Sequence, residues 1–229
     1  MTRAAWVAGV LVLAANGGAG GAPRRHDARG EVVLNGVRTA VHWTDGDSFK
    51  VQAGPFTGKG TRLVGYNALE AFGPVHSWGE WTPEELFALA SDSARVAASE
   101  AWVCATEGQE DGYHRLLVRC PELALAMAAQ GHGMAYSVEG DTPDPAVLAA
   151  QREAMAARRG MWRKGVVAGV VTSVHSLGEA GEEGAGRAYN RVADTRTGLA
   201  HRRAHQRTYA TCERVCEETE GQRSCMVYV

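Results

Sequence analysis

Three short stretches of the chain carry side chains suited to one kind of chemistry. Asp47 sits in the run Asp45-Gly46-Asp47-Ser48. Arg62, Asn67 and Glu70 follow in Arg62-Leu63-Val64-Gly65-Tyr66-Asn67-Ala68-Leu69-Glu70, and Arg115 comes later in Tyr113-His114-Arg115. Carboxylate, amide and guanidinium are the groups that hydrolysis of a phosphodiester requires. A hard cation takes oxygen ligands such as the Asp47 carboxylate and the Asn67 carbonyl. Forked arginine N–H groups offset the charge that builds on phosphorus. A carboxylate such as Glu70 can remove a proton from the attacking water. Singly these signals are weak, because Asp-Gly-Asp is an ordinary turn, and Arg62 or Glu70 could be solvated surface residues. Their order and spacing carry the argument.

The elements that must position them are short. Val37–Trp43 is rich in β-formers, Asp45-Gly46-Asp47 is a hairpin turn signal, and Ser48–Ala53 alternates again. Thr61–Tyr66 makes a third strand of this meander. A helix is expected over Thr82–Ser99, with Thr82 as N-cap, Pro83 in the first turn and Glu84 and Glu85 favourable there. Ala101–Thr106 and Arg115–Cys120 read as two more strands. Helices are expected at Leu123–Gln130, ended by Gly131, and over Asp144–Gly160. Five short strands among helices suggest a small barrel.

The chain has 229 residues, is 45% hydrophobic and 22% charged, and carries a net charge of −2. These values exclude a wholly disordered chain and a multi-span membrane protein. They also argue against a protein whose sole task is to hold nucleic acid, which carries a strong basic excess. Arg3, the apolar run Ala4–Ala15 and the small residues to Ala22 read as a signal peptide over 1–22, too short to span a bilayer. A membrane anchor is the alternative. Export to the periplasm or beyond the cell makes disulfides the default for the five cysteines, 104, 120, 212, 216 and 225. Cys104 and Cys120 lie symmetrically about Gly112 and would face each other across a hairpin, so a disulfide is expected there.

Taken together, Asp45-Gly46-Asp47-Ser48, Arg62 to Glu70 and Asp111-Gly112-Tyr113-His114-Arg115-Leu116-Leu117-Val118 resemble the staphylococcal nuclease (thermonuclease) family. Leu123–Tyr136 and Ala149–Trp162 are similar to that family's later helices, so the resemblance spans 29–165. It implies an α+β fold, a five-stranded OB-type β-barrel with about three helices, acting as a calcium-dependent phosphodiesterase on DNA or RNA that leaves 3′-phosphate ends. On this resemblance Arg62 and Arg115 hold the phosphate, and Glu70 positions or deprotonates the water. Asp47, Asn67 and the Ala68 carbonyl hold Ca2+ or another divalent cation, and Tyr113 contacts the nucleotide. A monomer without membrane insertion after signal cleavage is expected.

The chain departs from the family in three places. Asn67 stands where a second metal-binding Asp is usual, which removes a negative charge. Leu69 replaces a proline before the glutamate. The segment between Gly73 and Thr82 is longer and more aromatic, and reads as a surface loop with a tryptophan clamp. There His76 and Glu80 offer an alternative cation site. Scaffold members of the family typically lack several of the catalytic residues, so a non-catalytic nucleic-acid-binding module is the alternative function; an envelope adaptor is another. Residues 166–229 form a Cys-containing extension in which Arg187, Arg191, Arg196, Arg202, Arg203 and Arg207 face only one acid, Asp194. This is either a second backbone-binding stripe or a solvated hairpin. His201, His205, Cys212 and Cys216 have loose zinc spacing, although either cysteine could instead bond Cys225.

Overall fold

In a computed structural model the described residues are 28–138, 141–177, 188–210 and 213–227. The expected signal peptide 1–22, residues 178–186, Arg187 and Cys212 lie outside them. The first hairpin joins β1 (Ala28–Leu34) to β2 (Val37–Asp45) through Asn35-Gly36, both at positive φ, 50° and 82°. That is the backbone a two-residue hairpin turn requires. β2 returns through Gly46-Asp47 into β3 (Ser48–Val51). A four-stranded sheet of order β3-β2-β1-β7 results, with β7 at Trp102–Cys104.

The expected third strand breaks at Val64 into β4 (Thr61–Leu63) and β5 (Gly65–Ala68), where Gly65 takes φ 98°. β4 pairs in parallel with β8 (Leu116–Val118), and β5 runs antiparallel to β9 (Gly133–Tyr136). Together with β6 (Val75–Trp78), the described residues up to 165 therefore hold nine short strands where five were expected. No ladder among them closes into a barrel. The core between these strands and the helices is built from Val32, Val41, Trp43, Phe49, Leu63 and Tyr66, with Leu123 and Met127.

Three helices form as their end signals dictate. In α1 (Pro83–Ala97) the Thr82 side chain accepts from the Glu85 N–H while Glu85 accepts from the Thr82 N–H. This reciprocal cap contributes about 1 kcal/mol. α2 (Pro121–Gln130) ends at Gly131 in the left-handed conformation, and α3 (Pro145–Ala156) starts from an Asp144 cap. None of the described helices is long and apolar enough to cross a membrane.

The segment 75–78 is not the expected surface loop. It is the fully buried strand β6, paired antiparallel with β14 (Gln222–Val227), which in turn pairs with β13 (Arg214–Thr219). A second sheet, β10 (Gly169–His175), β11 (Ala188–Asp194) and β12 (Ala200–His205), packs on it through Val171, Val174, Val192, Val215 and Met226. The C-terminal chain is thus seated on strand β6, and the basic segment is the β11–β12 hairpin.

Cys104 is bonded to Cys120, and Cys216 to Cys225. Two disulfides fit an oxidising compartment. The Cys104–Cys120 bridge spans 16 positions and ties β7 to the chain after β8. Replacing both cysteines by alanine is expected to lower unfolding stability by about 3 kcal/mol through the freed unfolded chain. Urea unfolding measures it, and an unchanged stability would show the bridge to be idle.

Candidate active site

The Asp-Gly-Asp turn is held by its neighbours. A side chain at Gly46 would come within 2.8 Å of Ala68 and Ser93 and nearer still to Met127, so only glycine lets the turn sit this deep. The Tyr66 hydroxyl donates to the Gly46 carbonyl at 2.6 Å, and the Asp47 N–H donates to Asp45 Oδ1 at 3.1 Å. The turn thereby delivers Asp47, 1% exposed, against the β4–β5 break.

There Asp47 is fully engaged. Arg62 Nη1 donates to Asp47 Oδ1 at 2.6 Å, the Ser48 hydroxyl donates to the same oxygen at 3.1 Å, and the Ala68 N–H donates to Oδ2 at 2.7 Å. Arg62 Nη2 also donates to Asn67 Oδ1 at 2.5 Å, and Asn67 Nδ2 donates to the Ala68 carbonyl at 2.6 Å. Arg62 thus bridges the two side chains expected to hold a cation. Burial would lower its pKa, but the carboxylates of Asp47, Glu70 and Asp45 outweigh that and keep the guanidinium firmly charged. The ring of Tyr136 lies 5.9 Å from it.

Glu70 lines the cleft and makes no hydrogen bond or ion pair among the described residues. Burial first, and then the Asp47 charge, push its pKa up to about 7 against the pull of Arg62 and Arg115. A carboxylate with that pKa is suited to exchange a proton at neutral pH. Burial and the charges of Asp47 and Glu70 also raise Asp45 well above the usual carboxylate range.

Arg115 reaches the same cleft from the loop before β8. Asp111 holds it, accepting from Arg115 Nε at 2.8 Å and from Nη2 at 2.7 Å, and the Asp111 carboxylate also accepts the Tyr113 and Arg115 N–H groups. Tyr113 is exposed, with its ring 5.5 Å from the Arg115 guanidinium. Arg62, Asn67, Glu70, Tyr113 and Arg115 all line one cleft of about 1510 Å³. Asp47 and Ala68 stand buried behind it.

Three participants escape a reading of the sequence. Asp45 looks like part of a turn, yet it is a buried third acid. Asp111 lies four residues before Arg115 in an Asx-type turn, a signal that was available. Nothing in the local sequence points to Tyr136.

Two alternatives for a metal also fall away. His76 is 1% exposed within β6 and Glu80 is exposed beyond it, so the two form no cation site. Neither His76 ring nitrogen has a hydrogen-bond partner of good geometry, the Val171 backbone being only a marginal one. The zinc set is also broken: Cys216 is in a disulfide, and His205 binds Asn190 and Tyr209. Among the described residues no three His, Cys, Asp or Glu side chains converge as a metal site. The set Asp47, Asn67 and Ala68 carbonyl nevertheless fits a hard cation in kind. A cation could enter this set only if Arg62 released Asp47 and Asn67.

Comparison of the chain with family models, with curated proteins and with solved structures finds no match.

Proposed function

We propose that the protein is a nuclease, a hydrolase of nucleic-acid phosphodiesters similar to the thermonuclease family. The carrying observation is that Arg62 and Glu70, from one segment, line one cleft with Arg115 from a segment about 45 residues further on, and that Glu70 feels the charge of both guanidinium groups. The finer fold reading is an OB-type barrel. In its support, isolated bridges Lys50–Gly60 and Ala105–Arg119 link the four-stranded sheet at either end to the β4–β8 pair.

In this reading Arg62 and Arg115 hold the phosphate oxygens and offset their growing charge. Glu70 takes a proton from water as its oxygen attacks phosphorus in line. The P–O5′ bond breaks and the departing O5′ takes a proton from solvent water, leaving a 3′-phosphate and a 5′-hydroxyl. Asp111 keeps Arg115 in place, and Asp47 does the same for Arg62 until the phosphate competes for it. A divalent cation on Asp47, Asn67 and the Ala68 carbonyl would add further neutralising charge.

The test is degradation of plasmid and single-stranded DNA by the purified protein with calcium, with other divalent cations and with a chelator. Absence of cleavage under every condition would overturn the proposal. Binding without cleavage would instead favour the non-catalytic module, which draws on the ties that already occupy Arg62.

Asn67→Asp provides a second measurement. A carboxylate in place of the amide adds one charge to the cation set. The calcium concentration for half-maximal cleavage is expected to fall by about five- to thirtyfold, equivalent to about 1–2 kcal/mol. An unchanged or higher value places the cation elsewhere.

A further inference from the structure

The cleft has a second wall that the proposed chemistry does not use. Antiparallel register sets Ser173 opposite Arg191, His175 opposite Tyr189, and Arg191 opposite Arg202. Ser173, His175, Tyr189, Arg191 and Arg202 therefore share one face of the β10–β11–β12 sheet, and all line the cleft. The opposite face is the valine layer packed on β13–β14. The two walls meet where the Tyr113 hydroxyl lies 3.3 Å from His175 Nδ1.

The arginines of this segment divide into two kinds. Arg196 pairs with Glu220, Arg203 with Glu217 and Arg207 with Glu213. Arg191 and Arg202 have no carboxylate partner among the described residues, although Glu70, Glu107, Asp111 and Asp141 line the same cleft. Both instead lie against the Tyr189 ring, at 5.3 and 4.9 Å. Two like charges directly opposite each other in a sheet repel. The ring quadrupole offsets part of this, and an anion between the two guanidinium groups would offset the rest.

We propose that Arg191, Arg202 and Tyr189 form a second subsite that takes the backbone phosphates of a single-stranded nucleic acid beyond the bond to be cleaved. The subsite rests on the nuclease reading for its substrate class. It makes the extension a part of the substrate cleft, so that a long strand is gripped by both walls while a dinucleotide touches only the first.

The test uses the whole exported chain, a labelled single-stranded oligothymidylate and a chelator to prevent cleavage. The double variant Arg191→Gln, Arg202→Gln is expected to bind about 10- to 100-fold more weakly, with a salt slope shallower by about 1.4 for two lost phosphate contacts. Arg191→Lys, Arg202→Lys should keep most of the slope, which separates lost charge from a damaged fold. Hydrolysis of a dinucleotide should be unchanged in both variants. Equal binding and an equal slope in the glutamine variant would overturn the subsite. So would failure of the parent protein to bind the oligonucleotide, or equally effective competition by polyglutamate, which would mark an acidic protein as the partner. A parent protein that binds through these arginines but never cleaves overturns the nuclease reading and leaves the subsite standing.

Discussion

Glu70→Gln is expected to slow phosphodiester cleavage by about 10²- to 10⁴-fold, the usual worth of a positioned acid–base group. The substitution keeps the shape of the side chain and removes its capacity to accept a proton. It also removes a negative charge beside Arg62 and Arg115, so affinity for an uncleaved oligonucleotide should hold or rise. That split identifies a residue acting on the reaction rather than on binding. Single-turnover cleavage and anisotropy binding on the same preparation measure the two quantities. A variant that cleaves as fast as the parent would remove Glu70 from the mechanism.

Acidification is expected to destabilise the protein through one residue remote from the chemistry. His76 is buried in β6 beside Met226, its register partner, and Trp78, and burial pushes its pKa down to about 4 from 6.5. Below pH 6.5 the unfolded chain takes up a proton on this ring that the folded chain refuses. Stability is therefore complete above pH 6.5 and falls as the pH drops towards 4, with a total loss of about 3 kcal/mol. His76→Leu removes the titration and keeps an apolar filling. Urea unfolding of both proteins at pH 7 and pH 4 should show the variant losing about 3 kcal/mol less than the parent. Equal losses would mean that His76 is protonated in the folded state. The same strand joins the extension to the rest of the molecule, so partial unfolding at low pH should begin at the β6–β14 pairing.

Local signals sufficed where the physics is local. The Thr82 cap, the Gly131 stop and the Asp45-Gly46-Asp47 turn each depend on a few adjacent residues, and each stands where expected. The Cys104–Cys120 bridge followed from hairpin symmetry alone. Asn35-Gly36 is an equally local turn signal, and it joins β1 to β2.

Residue types and spacing also singled out Arg62, Asn67, Glu70 and Arg115, which line one cleft, and Asp47, which is buried beside it. What they could not set out depended on contacts between distant segments. Alternation cannot reveal that Val75–Trp78 is a strand when both its faces are buried and its partner, β14, is about 150 residues away. Nor can spacing show that Arg62 already bridges Asp47 and Asn67, or that Asp45 is buried as a third acid, since both follow from how deeply the Gly46 turn packs. Charge counting made the arginines between 187 and 207 a uniform stripe. Only sheet register and the glutamates of β13 and its neighbouring turns divided them into paired arginines and the two that face the cleft, because charge acts through distance in space, and the fold alone sets that distance.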